Sequence, residues 1–190
     1  MNLHEIFGII AGLIALATYP IYIQSIVTGT TRPSRVTWWI LGLSGTLLAA
    51  SYYASGARDT MWIASVYAIG YFVIAMFSLR YGHGTWTKMD TLLLALALAS
   101  AGLWWLLNNP LIALYVNIGI DVFGIAPTIY KTYREPTTES RAAWFVDVLA
   151  AACAMLAISR WTVAIVLFPV YLFVTNGLIL LLSFRNVKKQ

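Results

Sequence analysis

The chain has 190 residues, of which 61% are hydrophobic and only 10% are charged, and its net charge is +5. Soluble domains are about half apolar and a quarter charged, so a water-soluble fold is excluded because it could not hide this much apolar surface. The basic residues fall in loops beside apolar runs, where they orient a membrane protein, so no nucleic-acid partner is expected.

Apolar runs separated by short polar segments predict an all-α integral membrane protein with seven helices. Each run is long enough to cross a hydrocarbon core of about 30 Å. The predicted helices cover residues 5–27, 35–55, 60–79, 90–107, 110–132, 141–158 and 162–183.

The connections between these helices alternate between basic and nearly uncharged. Arg58 and Arg160 are the two basic residues predicted on one side of the membrane. The other side receives Arg32, Arg35, Arg80, Lys88, Lys131, Arg134, Arg141, Arg185, Lys188 and Lys189. The positive-inside rule therefore places the N-terminus outside and the C-terminus in the cytoplasm.

The two halves of the chain carry the same motif. In the first half Pro20 precedes a Thr- and Arg-rich loop and Trp38, and in the second Pro127 precedes a similar loop and Trp144; the spacings are 18 and 17 residues. A Ser-Arg-x-x-Trp motif opens the following helix in both halves. With three helices per half and one helix between them, the halves form a parallel repeat. The predicted division is 1–82 for the first three-helix repeat, 83–109 for the linker helix and 110–190 for the second repeat with its short basic tail.

Pro20 and Pro127 are also predicted hinges. A proline inside a helix removes one backbone donor and crowds the preceding turn, which leaves a kink that can bend. The alternative interpretation is that they only shape the bundle.

Predicted helix 5 carries a polar stripe near the middle of the membrane. Asn117, Asp121, Gly124 and Thr128 are spaced by four, three and four residues, so they share one helix face. An ionisable side chain at the centre of a membrane costs about 2.5–3.5 kcal/mol on insertion scales, which makes Asp121 the leading functional candidate. The alternative is a carboxyl that only holds helices together.

Polar and aromatic side chains on other helices extend this candidate site. Asp147 lies three residues after Trp144 in predicted helix 6, and with Asp121 it forms the pair of intramembrane carboxyl groups that a proton-coupled carrier would need. Asn176 and Tyr171 on helix 7 offer an amide and a phenol, groups that suit a polar solute. Two further sets complete the predicted site, Tyr67 with Tyr71 on helix 3, and Trp39 or Trp144 as a cytoplasmic wall.

The helix count, the three-one-three layout and the repeated proline motif resemble the SWEET and PQ-loop superfamily of small membrane transporters. This chain is identified as a divergent member, because Ile21 and Thr128 follow the prolines where that family has Pro-Gln. The resemblance implies alternating access around the two prolines. The segment TESRAAWFVD is similar to lysosomal amino-acid exporters of the PQ-loop group, which implies a proton site at Asp147. Asn176 corresponds to an asparagine on the family's last helix that contacts solute.

The function predicted from these features is transport of a small polar solute, a sugar, an amino acid or a vitamin-like compound. Proton coupling and passive facilitation both remain open, and the alternative function is a membrane-embedded binding or sorting receptor on the same fold. An enzyme is not expected, because His4 and His83 are predicted on opposite sides of the membrane. No cofactor or metal is predicted. The expected setting is the plasma (inner) membrane, as a monomer or a homodimer in the lipid bilayer.

Overall fold

The computed structural model describes residues 2–31, 33, 35–82 and 85–185, apart from the side chains of Thr37, Pro127, Lys131 and Thr138. The described residues form seven α-helices and one 3-10 helix, Pro136–Thr138. The α-helices are α1 (Leu3–Val27), α2 (Arg35–Ala54), α3 (Met61–Tyr81), α4 (Lys88–Leu107), α5 (Pro110–Arg134), α6 (Arg141–Leu156) and α7 (Val163–Ser183). The prediction of seven helices is confirmed, and each end lies within two residues of its predicted position.

Several sequence predictions fall outside the described residues. These are the side chain of the hinge candidate Pro127, His83, and the basic side chains of Arg32, Lys131, Lys188 and Lys189.

Local sequence explains where several helices begin. Asn2 accepts a hydrogen bond from the Glu5 amide at 2.7 Å and caps α1. Thr87 and Asp90 form a reciprocal capping box at the start of α4. These caps satisfy backbone amides that have no partner within the helix.

Five of the described helices, α1, α3, α4, α5 and α7, are long and apolar enough to cross a membrane. This is typical of a multi-pass membrane protein. The sequence predicted seven spans, but α2 and α6 are not among these five. Helix α6 has only 16 residues, which make about 24 Å of helix. Helix α2 carries several hydroxyl and aromatic side chains, which lower its mean hydropathy. Both pack among other helices, α2 against α3, α4 and α5, and α6 against α1, α3 and α7.

Helices α1–α3, the N-terminal triplet, and helices α5–α7, the C-terminal triplet, have matching contacts. The third helix of each triplet contacts the first and the second. Between the triplets, α1 packs against α6 and α2 packs against α5. The helix between them in the chain, α4, packs against α5 and α2.

An arginine contact is also repeated. Arg35 Nε at the start of α2 donates to the Ser78 carbonyl oxygen at 3.1 Å, and Arg141 Nε at the start of α6 donates to the Ser183 carbonyl oxygen at 3.0 Å. We call these contacts the arginine clasps. Each clasp donates to a carbonyl in the last turn of α3 or α7, where the helix dipole favours a cation.

The triplets are also joined at the end of the bundle opposite the arginine clasps. Ser159, between α6 and α7, donates to the Asp59 carboxylate between α2 and α3. The Tyr52 hydroxyl donates to the Ile165 carbonyl oxygen at 2.7 Å and lies 2.8 Å from Thr60 Oγ1. We call this the closed end, because the main hydrophobic core fills the bundle beside it.

Candidate functional site

A cavity of about 250 Å³ lies between the two triplets. Every α-helix except α4 contributes to its described lining, and the loops that precede α2 and α6 contribute Pro33 and Glu139. The polar and aromatic lining residues are Thr18, Tyr19, Tyr22, Trp38, Tyr67, Tyr71, Asp121, Thr128, Glu139, Trp144, Asp147, Tyr171, Thr175 and Asn176. The cavity therefore extends toward the end of the bundle that carries the arginine clasps.

Asp147 is buried in this cavity and is held by the N-terminal triplet. Its Oδ1 atom accepts hydrogen bonds from Thr18 Oγ1 of α1 and from the Tyr67 hydroxyl of α3, both at 2.9 Å. The Asn176 amide of α7 donates to the same Tyr67 hydroxyl at 3.3 Å. The result is a hydrogen-bonded chain, Asn176–Tyr67–Asp147–Thr18, that joins four helices of both triplets.

Asp121 is buried on α5, with Tyr171 of its own triplet and Tyr71 of α3 beside its carboxyl group. Its Oδ2 atom accepts a hydrogen bond from the Tyr171 hydroxyl of α7 at 2.7 Å. Its Oδ1 atom is buried and has no hydrogen-bond partner in the described part of the chain. A buried acceptor without a partner costs free energy, so a ligand that donates to it would be bound favourably.

Tyr19 contributes a second unpaired polar atom. Its hydroxyl oxygen is buried and has no hydrogen-bond partner among the described residues. It lies close enough to Asp147 and Asp121 to interact with both electrostatically. The ring passes beside Gly70 of α3, where any larger residue would overlap it. The absent side chain at position 70 therefore makes the space that Tyr19 occupies.

Aromatic rings form one wall of the cavity. The ring centroids of Tyr22 and Trp38 are 5.8 Å apart, those of Trp38 and Tyr71 are 5.6 Å apart, and those of Tyr71 and Tyr67 are 5.7 Å apart. The rings are tilted or edge-on to one another, as aromatic pairs prefer. Four rings from three helices thus form a continuous surface, the ring wall.

Most of the residues predicted for the site lie together around this cavity. The described lining includes Asp121, Asp147, Tyr67, Tyr71, Trp144, Tyr171 and Asn176. Of the predicted stripe on α5, Gly124 and Thr128 also line the cavity.

Asn117 and Trp39 lie elsewhere. The Asn117 amide donates to Ser100 Oγ at 2.9 Å and to the Ala113 carbonyl oxygen at 2.7 Å, so it joins α5 to α4. Trp39 is 40% exposed and its ring packs 6.1 Å from that of Phe72. Because successive helical residues are rotated by about 100°, the preceding residue, Trp38, lines the cavity instead.

The hinge candidate Pro20 lies inside α1 and borders a different space. This is an apolar groove of about 300 Å³ between α1 and α3, bordered also by Leu16, Ile23 and Val66. Tyr19 lines both the groove and the central cavity. A further proline inside a helix, Pro169 of α7, was not among the predicted hinges.

Sequence reasoning missed the part of the site on α1. Thr18 and Tyr22 are one helical turn apart and Tyr19 lies beside them, but α1 is otherwise too apolar for the three to stand out as a polar stripe. Their position on either side of Pro20, a predicted hinge, was the feature of the sequence that could have indicated them as site residues.

No protein-family model, no curated protein and no solved structure matches this chain.

Proposed function

We propose that the protein transports a small polar solute across a membrane by alternating access. The observation that carries this proposal is the central cavity, which lies between the two triplets and is lined by polar residues of both. A site between two halves can be opened to either side when the halves tilt against each other. At about 30 Å³ per water molecule, its volume equals that of about eight waters, which suits a compact solute.

We further propose that the triplets are the two units of a three-one-three parallel repeat in the inner membrane. The matching contacts and the two arginine clasps support this arrangement, because each pair of α-helices in contact within one triplet has a counterpart in the other. The excess of basic residues beside the clasps favours a cytoplasmic location for that end, which puts the N-terminus outside. The cavity extends toward the clasps, so in this conformation of the protein it would face the cytoplasm.

Proton coupling is the form of transport that the buried carboxylates favour. Asp147 accepts hydrogen bonds from two helices of the other triplet. Protonation would remove its charge and replace one acceptor with a donor, which alters the bonds between the triplets. A passive facilitator needs no such group.

The proposal is tested by solute uptake into proteoliposomes. The panel contains sugars, amino acids and nicotinamide riboside, each supplied with and without an inward proton gradient. The native chain is compared with Asp121→Asn, Asp147→Asn and the control Glu5→Gln, which removes a carboxylate at the start of α1, outside the cavity.

We expect one class of solute to accumulate with the gradient and Asp147→Asn to abolish that accumulation while exchange of solute continues. Equilibration without accumulation, unchanged by both aspartate variants, would instead favour a facilitator with structural carboxylates. No movement of any solute, together with saturable binding, would refute transport and favour the receptor alternative.

A further inference from the structure

The described lining of the cavity contains acidic side chains. Asp121 and Asp147 are buried there, and Glu139, which also borders the cavity, is already engaged by Trp144 Nε1 at 3.0 Å. No lysine, arginine or histidine belongs to the lining as far as the structure describes it. The donors to the two aspartates are neutral hydroxyl groups.

Each aspartate keeps one oxygen atom for a further partner. The bonds to Asp147 both end on Oδ1, and the bond to Asp121 ends on Oδ2. In the described residues, Asp147 Oδ2 and Asp121 Oδ1 accept nothing. A buried carboxyl group is stable when it is protonated or when an opposite charge compensates it, and the described residues supply no protein cation that keeps these two ionised.

The ring wall supplies the second element that a cation needs. Aromatic faces attract a cation through their quadrupole, most strongly where water is excluded, and a cage of rings is a common way to bind an ammonium group. Tyr67 and Tyr71 of the wall lie in the same cavity as Asp121 and Asp147. Rings and carboxylates together distinguish an organic cation from a sugar, which needs no compensating charge, and from an anion, which both aspartates would repel.

An inorganic cation fits this cavity less well. Nowhere in the described residues do three His, Cys, Asp or Glu side chains come together as metal ligands. The volume of about 250 Å³ exceeds that of a single ion, and apolar side chains such as Leu41 and Leu172 form part of the lining.

We infer that the cavity binds a small organic cation that also carries a hydroxyl or carbonyl group. Its positive group lies between Asp121 and Asp147 against the ring wall, and its polar group pairs with the unpaired Tyr19 hydroxyl. This inference deepens the proposed function and rests on it only for the movement of the ligand, since binding can be measured by itself.

The test is calorimetric titration of the purified full chain in a non-ionic detergent at constant ionic strength. The probes are choline, tetramethylammonium, which lacks a hydroxyl group, and 3,3-dimethylbutan-1-ol, the uncharged isostere of choline. We expect choline to bind with a Kd about tenfold or more below that of the isostere. Asp121→Asn and Asp147→Asn should each raise the choline Kd about tenfold, and Glu5→Gln should leave it unchanged.

Tyr19→Phe removes the hydroxyl group and keeps the ring. It should lower the affinity for choline and leave the affinity for tetramethylammonium unchanged, because of these two cations only choline has a group that can pair with the Tyr19 oxygen. Each variant is first checked for a monodisperse elution profile, and Tyr19→Phe still tests the site if an aspartate variant does not fold.

Equal affinity for choline and its isostere would overturn the inference, as would aspartate variants with unchanged choline affinity or the absence of any cation binding.

Proteoliposome uptake distinguishes the two proposals. Cations that bind but never cross would refute transport and leave the inference standing, whereas uptake of a neutral solute without cation binding would refute the inference and leave transport standing.

Discussion

The partners of Asp147 decide what this single residue can do. A carboxylate that accepts from Thr18 and Tyr67 is tied to two helices of the opposite triplet, so any change in its charge acts directly on the contact between triplets. The sequence predicted Asp147 as a candidate, but it did not indicate Thr18 as its partner, because Thr18 lies 129 residues away in an otherwise apolar helix. Hydrogen bonds between distant residues depend on helix rotation, which periodicity fixes only approximately.

Thr18→Val should impair transport without loss of the fold. Valine has nearly the same shape but cannot donate, so one of the two hydrogen bonds to Asp147 disappears. A hydrogen bond to a charged group is worth about 1.5–3 kcal/mol, and we expect initial uptake in proteoliposomes to fall about tenfold. The control is Thr46→Val, because Thr46 bonds only to the Gly42 carbonyl of its own helix among the described residues. Equal uptake by both variants would contradict the role assigned to Thr18.

At the scale of helices, the arginine clasps fix the second helix of each triplet to the end of the third. Ser78 and Ser183 are buried, and the hydroxyl of each serine donates to a carbonyl of its own helix at 2.6 Å. Arg35 and Arg141 hold the same place in the repeated Ser-Arg-x-x-Trp motif and make matched contacts. Arg141 has one addition, since its guanidinium lies 4.8 Å from the centre of the Phe184 ring.

Arg141→Gln should therefore destabilise the protein more than Arg35→Gln. Loss of the Arg141 donor to the Ser183 carbonyl costs about 0.5–1.5 kcal/mol, and the lost cation–π contact adds about 0.5–1 kcal/mol. The Ser78 carbonyl also accepts from the Gly82 amide at 2.8 Å, so loss of Arg35 costs less. Thermal unfolding in detergent measures both changes, with the exposed Arg160→Gln as a control that should be neutral. Unchanged melting temperatures for both clasp variants would show that the contacts do not stabilise the fold.

Glycines in α1 set how closely α1 approaches α3. A Cβ atom at Gly8 would overlap the Asp59 carbonyl oxygen, and one at Gly12 would lie 3.1 Å from Trp62 Cβ. Small residues at this spacing are a common device for close packing of membrane helices. Because the obstacle at Gly8 is backbone, it cannot move aside as a side chain would.

Gly8→Ala should destabilise the protein by about 1–3 kcal/mol. The matched control is Gly102→Ala in α4, where a Cβ atom would meet nothing within 4 Å. Because alanine favours helices over glycine by up to about 1 kcal/mol, that control should be neutral or stabilising. Thermal unfolding of the two variants gives the comparison, and a stable Gly8→Ala protein would show that α1 can shift.

The sequence predicted helices better than it predicted which side chains face the cavity. Helix ends follow from polar punctuation and capping residues, which are local, and all seven helices were therefore found. Trp39 was chosen where Trp38 lines the cavity, and Asn117 was chosen although it faces α4. A difference of one residue changes the direction of a helical side chain by about 100°, so faces need the packed structure.

At the scale of the whole molecule, alternating access would require a gate at the closed end and another at the opposite end, which carries the arginine clasps and toward which the cavity extends. The Ser159–Asp59 contact joins the loops of both triplets at the closed end. Opening of that end would have to break this contact together with the bonds of Tyr52.

Replacement of Asp59 and Ser159 by cysteines should allow a cross-link that stops transport. In a Cys153→Ser background, oxidation or Hg²⁺ should bridge the pair and abolish proteoliposome uptake, and a reducing agent should restore it. Binding of a solute from the cavity end should persist in the bridged protein. The single cysteine variants, treated in the same way, are the controls. Undiminished uptake by the bridged protein would contradict a gate at this end.

The two triplets supply different chemistry to their shared cavity. The whole ring wall belongs to the N-terminal triplet, whereas Asp121 and Asp147 belong to the C-terminal triplet. Two copies of the first triplet would enclose rings without the aspartates, and two copies of the second would bring four buried aspartates together. If the halves arose by duplication, they have since become mutually dependent, and a hybrid chain with either half doubled would lose the site even if it kept the fold.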